Sequence, residues 1–477
     1  MLDVRTAFDA KTAPDVKTLF EVKTAGMMTK AAGMVLAAAL LCSPAHAATT
    51  RLMAGAGKSV IEITPAMLPI DGFGQIHDPL AARVVVVDNG VTRLAIVVVD
   101  QTSIFDQAVT EMRDSVAKIA RTGADNVFVI ASHTFSAPHM VSPDHLPPGM
   151  TMSVAQASAS RAYRDAVTTA VAQAAADAVK GLREARIGFA NGQSDVNVNR
   201  NVPSADGSWL GANDAGPSDK ELAVLRLEAP DRRPIAVLMN YAVQSAIMDH
   251  SIGSDGTKGV TADLGGAAAR QVEGQYDGAV ALFLTGAAGD QAPGYTARRN
   301  VYDKDGHFRG EDLGDKAWTL VDLQGERLGQ EAIRLTEGAA ASSSSPVLRT
   351  LSGTVPLDRQ ERPRNLGDIR PSRSYLFKPA GTVEAPWFLM QIGDTAIVGV
   401  QAELSAITGK YIRDHSPFCH TMVVTMVNGA AKYMPDAASY KAITYQAMNA
   451  QFGPGAAETF ASAIHEGLNR LKAGADH

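Results

Sequence analysis

Two cysteines in 477 residues cannot build a disulfide framework. One of them, Cys42, lies in a leader expected to be removed, so Cys419 stands alone in the mature chain and no internal cross-link is possible. Three tryptophans and 6% aromatic residues do not mark out a lipid groove. No cluster of lysine and arginine is dense enough to hold nucleic acid, and the formal net charge of -6 points the same way. The apolar run 31–41 is too short to span a bilayer, so no transmembrane anchor is expected. No internal repeat is visible.

What is present is ordinary globular material, 46% apolar and 20% charged, enough for a large core in one to three domains. Lys30, the apolar run 31–41 and Ala45-His46-Ala47 follow the order of a secretory signal peptide, with cleavage after Ala47 and export to the periplasm or medium. Residues 1–27 read as an upstream extension, since Met27 or Met28 would start a normal signal. Cys42 lacks the small preceding residue of a lipoprotein site. The organisation expected is therefore extension plus leader over 1–47 and one large domain over 48–477, with a short Ala/Ser linker at 338–346 inside it.

β-branched runs at 82–87 and 94–99, joined through Asp88-Asn89-Gly90, predict a hairpin. Helical spacing follows at 106–121, then a buried strand at 127–130. The segment 141–152 reads as a loop over the strand end, 160–179 as an alanine-rich helix, and 203–217 as irregular. Strands at 223–227, 235–242 and 280–284 surround a helix at 262–273 with a small-residue face. An exposed insertion occupies 295–315. Strands at 388–392, 395–400 and 422–426 and a helix at 457–471 complete the chain. The fold class is α/β with mixed α+β character, mixed sheets flanked by helices. The Gly57-Lys58-Ser59 triplet is not a phosphate loop, because the earlier glycine is Leu52 and the segment continues as a strand.

The strand at 127–130 breaks into Ser132-His133-Thr134-Phe135-Ser136-Ala137-Pro138-His139, at the rim where α/β sheets bind ligands. Taken singly, His133 is better explained as a hydrogen-bonded structural histidine. Several distant segments change that weighting: Ile63-Thr64-Pro65, His77-Asp78-Pro79, Ser132-His133-Thr134, Asn240-Tyr241-Ala242, Thr261-Ala262-Asp263, Gly289-Asp290, Glu403, and Asn428-Gly429 with Tyr433. In this order and spacing they resemble the N-terminal catalytic domain of the neutral/alkaline non-lysosomal ceramidase family. The resemblance implies a zinc amidase whose first histidine, glutamate and tyrosine ligands fall on His133, Glu403 and Tyr433. Zinc accepts such N and O donors and polarises water or a carbonyl.

Three departures accompany it. The second ligand histidine is Gln244, a poorer zinc donor. A loop histidine is Phe135. The nucleophilic serine falls on Ala292, which cannot form an acyl-enzyme. Ceramide hydrolysis by the family's route is therefore not expected. The first expectation is metal-assisted hydrolysis of an amide or ester in a small or amphipathic substrate, with zinc on His133, Glu403 and Tyr433 and with Gln244 or His250 completing the set. The second is a metal-independent lyase or isomerase, using His133 or Tyr433 as acid or base and Arg83 or Arg200 as anion holder. A silent binding protein of the cell envelope is the third. His77, Phe135, His139, Gln244 and Asp290 are the candidate substrate contacts in each.

Overall fold

The computed structural model describes residues 51–474 except 145, 147–150, 344, 345 and 364. The expected extension and signal peptide lie outside the described residues. The described residues form one compact unit.

Three sheets meet on one shared core. In the first, strands run in the order Val127–Ala131, Arg93–Val99, Ala81–Asp88, Met53–Val60, with a two-residue edge at Arg183–Glu184. The second runs Val280–Thr285, Pro234–Tyr241, Glu221–Glu228, Arg186–Gln193, Ala341–Ser343. The third runs Leu348–Gln360, Pro379–Ile392, Thr395–Val400, His420–Val424. Side chains alternate along each strand, so one face of every sheet enters the shared core and the other meets helices. Val85, Val87 and Ile96 pack with Leu225, Leu238 and Leu282 of the second sheet and Met390, Ile397 and Met422 of the third. Their neighbours Val84, Val86 and Val97 face outward, against helices Asp106–Ala120 and Val154–Lys180. The second sheet is backed by Asp263–Gln275 and Trp318–Gly338, the third by Ala406–Asp414 and Ala456–Ala473.

The glycines of the rejected phosphate loop have a packing reason. A Cβ on Gly55 or Gly57 would stand 2.1 Å from the carbonyl oxygens of Ala178 and Ala174, so helix Val154–Lys180 lies directly on the strand. That helix starts earlier than its alanine run suggests, because Ser153 and Gln156 close a reciprocal capping box.

The segment expected to be irregular at 203–217 belongs to a hairpin, and the exposed insertion contains a second one. Asn197–Ser204 pairs with Gly207–Asn213, and Arg298–Tyr302 pairs with Phe308–Asp312 inside the exposed insertion. Their apolar residues, among them Val198, Trp209 and Phe308, follow no regular alternation, so periodicity could not reveal strands held by backbone pairing. The region 338–346 is not merely a connection: Ala341–Ser343 adds an edge to the second sheet.

Two asparagines hold the sheets in register at their joins. Asn240 donates to the carbonyls of Leu284 (2.9 Å) and Val423 (3.0 Å), tying the second sheet to the third. The side-chain oxygen of Asn428 accepts from the Val129 amide at 2.9 Å, and its own amide donates back to the Val129 carbonyl at 2.7 Å. The final strand of the first sheet is thereby clasped by the loop that follows the third.

Candidate active site

Beyond Ala131 the backbone turns sharply, and His133 adopts a left-handed φ of 62°. Phe135 donates its amide to the Ser245 carbonyl at 3.0 Å, and the Thr134 hydroxyl bonds the Thr261 carbonyl at 2.8 Å, so both sides of the turn are pinned. Met426 and Lys432 also have positive φ, 60° and 57°, and both border the same cavity as His133. Non-glycine residues avoid this region by roughly 1–3 kcal/mol, and such strain collects at functional sites.

The His133 ring is fixed at both nitrogens. Nδ1 donates to the Thr102 carbonyl at 2.6 Å, and Nε2 lies 3.2 Å from Glu403 Oε2. Because Nδ1 must carry its hydrogen to meet a carbonyl, one further proton lies between Nε2 and the carboxylate. Gln244 Nε2 donates to the same Glu403 oxygen at 2.7 Å, while its Oε1 accepts from Arg200 at 3.0 Å. Arg200 also bonds the Gly289 carbonyl at 2.9 Å, and its guanidinium lies 5.2 Å from the centre of the Tyr433 ring. Glu403 and Tyr433 come together because two short strands pair in parallel, Glu403 opposite Tyr433. Gly289 is required alongside, since a Cβ there would be 2.6 Å from the Glu403 carbonyl oxygen. Above this floor opens a cavity of about 200 Å³, bordered by Thr102, His133, Phe135, Arg362, Glu403 and Tyr433. At ~30 Å³ per water it holds about seven waters, so a small molecule or the end of a larger one fits.

Burial raises the Glu403 pKa, but His133, Arg200 and Lys432 outweigh it and hold the carboxyl below its ordinary value. Burial pushes the Tyr433 phenol up, with Glu403 assisting and Arg200 opposing, so it remains a donor at neutral pH. The sign for Glu403 is that of a depressed acid. Its contribution to stability is complete above the unfolded value of 4.5 and is lost as pH falls through the lower folded pKa. Denaturant unfolding between about pH 6 and pH 3 should therefore show a steeper loss for the native chain than for Glu403→Gln; equal slopes would contradict the assignment.

Residues 71–306 match the model of the neutral/alkaline non-lysosomal ceramidase family, N-terminal domain. This stretch carries the family's N-terminal domain. Among solved structures it resembles neutral ceramidase from Pseudomonas aeruginosa, with a TM-score of 0.68 and 16% identity over 88% of this chain and 74% of that one. A ceramidase complexed with C2 gives 0.66 and 15% over 89% and 75%. No curated protein matches the chain. At such identity the likeness establishes the ceramidase fold and leaves the chemistry to the side chains.

Of the ceramidase-like positions picked out in the sequence, His133, Phe135, Gln244, Glu403, Tyr433 and Arg200 converge. The others do not join them. Arg83 is held in a buried ion network with Asp100 (3.0 Å) and Glu273 (3.2 Å) and has no path to the cavity as an anion holder. His77 stacks on Trp318 with ring centres 3.9 Å apart. His139 pairs with Asp71 and His250 with Asp249, both at exposed positions. Asp290 is buried behind the floor, where it accepts from the Ala406 amide at 2.8 Å and burial raises its pKa to about 6. The motif residues Asp78 and Asp263 are structural clips: Asp78 receives Arg270 at 2.8 Å, and Asp263 receives the amides of Ile247 and Met248 at 3.0 and 2.9 Å. Arg362 and Lys432 border the cavity but were not singled out, since Arg362 lies in a polar, proline-flanked stretch without a motif.

The donor set does not fit the zinc that the ceramidase family implies. No group of three or more His, Cys, Asp or Glu side chains suited to a metal occurs among the described residues, and His250 is committed elsewhere. Gln244 turns its amide nitrogen, not its oxygen, toward Glu403, and its oxygen is taken by a guanidinium. Of the four positions, only His133 and Glu403 are ordinary zinc donors.

Proposed function

We propose that this ceramidase-fold protein is a secreted or periplasmic hydrolase that cleaves an amide or ester bond in a small or amphipathic substrate by metal-free acid–base chemistry. The observation that carries this is the His133–Glu403 pair at the floor of an open cavity beside a protonated phenol. Glu403 Oε2 receives His133 and Gln244, which leaves Oε1 to take a proton from water as the water oxygen attacks the substrate carbonyl. The Tyr433 hydroxyl supports the negative charge that develops on the carbonyl oxygen. The proton then passes to the leaving nitrogen or oxygen, giving an acid and an amine or alcohol. Arg200 braces Gln244 and Tyr433 from behind. No helix among the described residues is long and apolar enough to cross a membrane.

The test is turnover of short N-acyl and O-acyl substrates by the purified chain, before and after chelation, with zinc counted by mass spectrometry. Hydrolysis unchanged by chelation in zinc-free protein is the expected result, and Gln244→His, which restores an imidazole, should raise zinc affinity. Activity lost with the chelator and regained with zinc would overturn the metal-free mechanism. A lyase or isomerase is the second reading, favoured by the Arg200 guanidinium lying on the Tyr433 phenol, as an anion holder beside an acid or base would. Products formed without uptake of solvent oxygen from labelled water would identify it.

A further inference from the structure

Resting on the placement of the reaction in this cavity, we infer that the substrate carries an oxyanion, a carboxylate or phosphate, close to the bond that is cleaved, and that Arg362 and Lys432 recognise it. Both side chains border the cavity, and among the described residues Glu403 is the only acid that does so. Glu403 spends its hydrogen bonds on His133 and Gln244 and makes no direct ion pair with either cation, although the Lys432 charge reaches it. Glu361, the acid next to Arg362 in sequence, pairs instead with Lys378 at 3.9 Å. Arg362 gives one N–H to Asn449 Oδ1 at 3.0 Å, while its Nε is enclosed without an acceptor. An enclosed, unpaired guanidinium donor is costly, and a bound oxyanion relieves that cost. Lys432 is exposed, forms no ion pair among the described residues, and is held at its left-handed φ by the Glu403 amide bonded to its carbonyl at 2.8 Å. A planar fork and a mobile ammonium at one mouth suit a carboxylate or phosphate and give an uncharged headgroup nothing to pair with.

Binding of hexanoate, hexyl phosphate, hexanamide and hexanol to the purified chain, measured by calorimetry, tests this without requiring turnover. The two anions should bind about tenfold or more tightly than the neutral pair. The tighter of the two anions then identifies the oxyanion, and either preference supports the inference. Arg362→Met and Lys432→Met should each remove most of the difference while leaving hexanamide binding unchanged. Equal affinity for all four probes, or anion preference that survives both substitutions, would overturn it. Anion binding by a chain that hydrolyses no acyl substrate would defeat the hydrolase proposal and leave this one standing.

Discussion

Replacing His133 with alanine should lower turnover by about 10²–10⁴-fold, Glu403→Gln should do the same, and the double variant should be little worse than either. The reason is that one proton is shared between Nε2 and Oε2, so the two side chains form a single unit that either substitution disables. Merely structural partners would act otherwise: each change would lower the unfolding midpoint, and the kinetic constants of the folded protein would stay near native. Turnover and chemical denaturation measured on the same preparations separate the two outcomes. Multiplicative losses in the double variant would show that the residues act independently.

The second large effect concerns stability. Arg83→Met should cost about 3–5 kcal/mol, because it leaves Asp100 buried without the guanidinium that compensates it and takes one of two cationic partners from half-buried Glu273. That is a large share of the ~5–15 kcal/mol that holds a folded domain together. Asp100 retains the Ala81 amide at 2.9 Å and Glu273 retains Lys58 at 2.6 Å, so enough protein should fold at low temperature for kinetics. Its kinetic constants should match the native chain. A fall in turnover with an unchanged unfolding midpoint would return Arg83 to the chemistry.

The contrast between Arg83 and His133 shows which parts of the molecule can be read from sequence. The sheets and helices of the core follow from periodicity: Val84 to Val87 alternate between two apolar environments, and Val109, Met112 and Val116 share one helix face. The hairpins at Asn197–Asn213 and Arg298–Asp312 have no such signal, because their pairing is a backbone property. At the site, residue types matched to a family could suggest His133, Gln244, Glu403 and Tyr433, but they could not say what holds them. The partners of Arg83 lie 17 and 190 residues away, and in sequence it looks no different from Arg200. Zinc was expected from the family resemblance. The contacts of Gln244, which joins Glu403 to Arg200, exist only in three dimensions.

Asn428 gives the site a tolerance as well as a location. Its side chain stands in for a strand partner of Val129, across 299 residues of sequence, four positions before His133 on one side and five before Tyr433 on the other. The spacing between the imidazole and the loop that carries the phenol is thus gauged by this side chain together with the backbone bonds from Asn428 to Val129 (2.7 Å) and from Ala131 to Met426 (3.3 Å), and reacting groups tolerate little misplacement, about 100-fold in rate for an ångström. Removing the side-chain bond, as in Asn428→Ala, would loosen that spacing and appear first as poor catalysis in a protein that still folds.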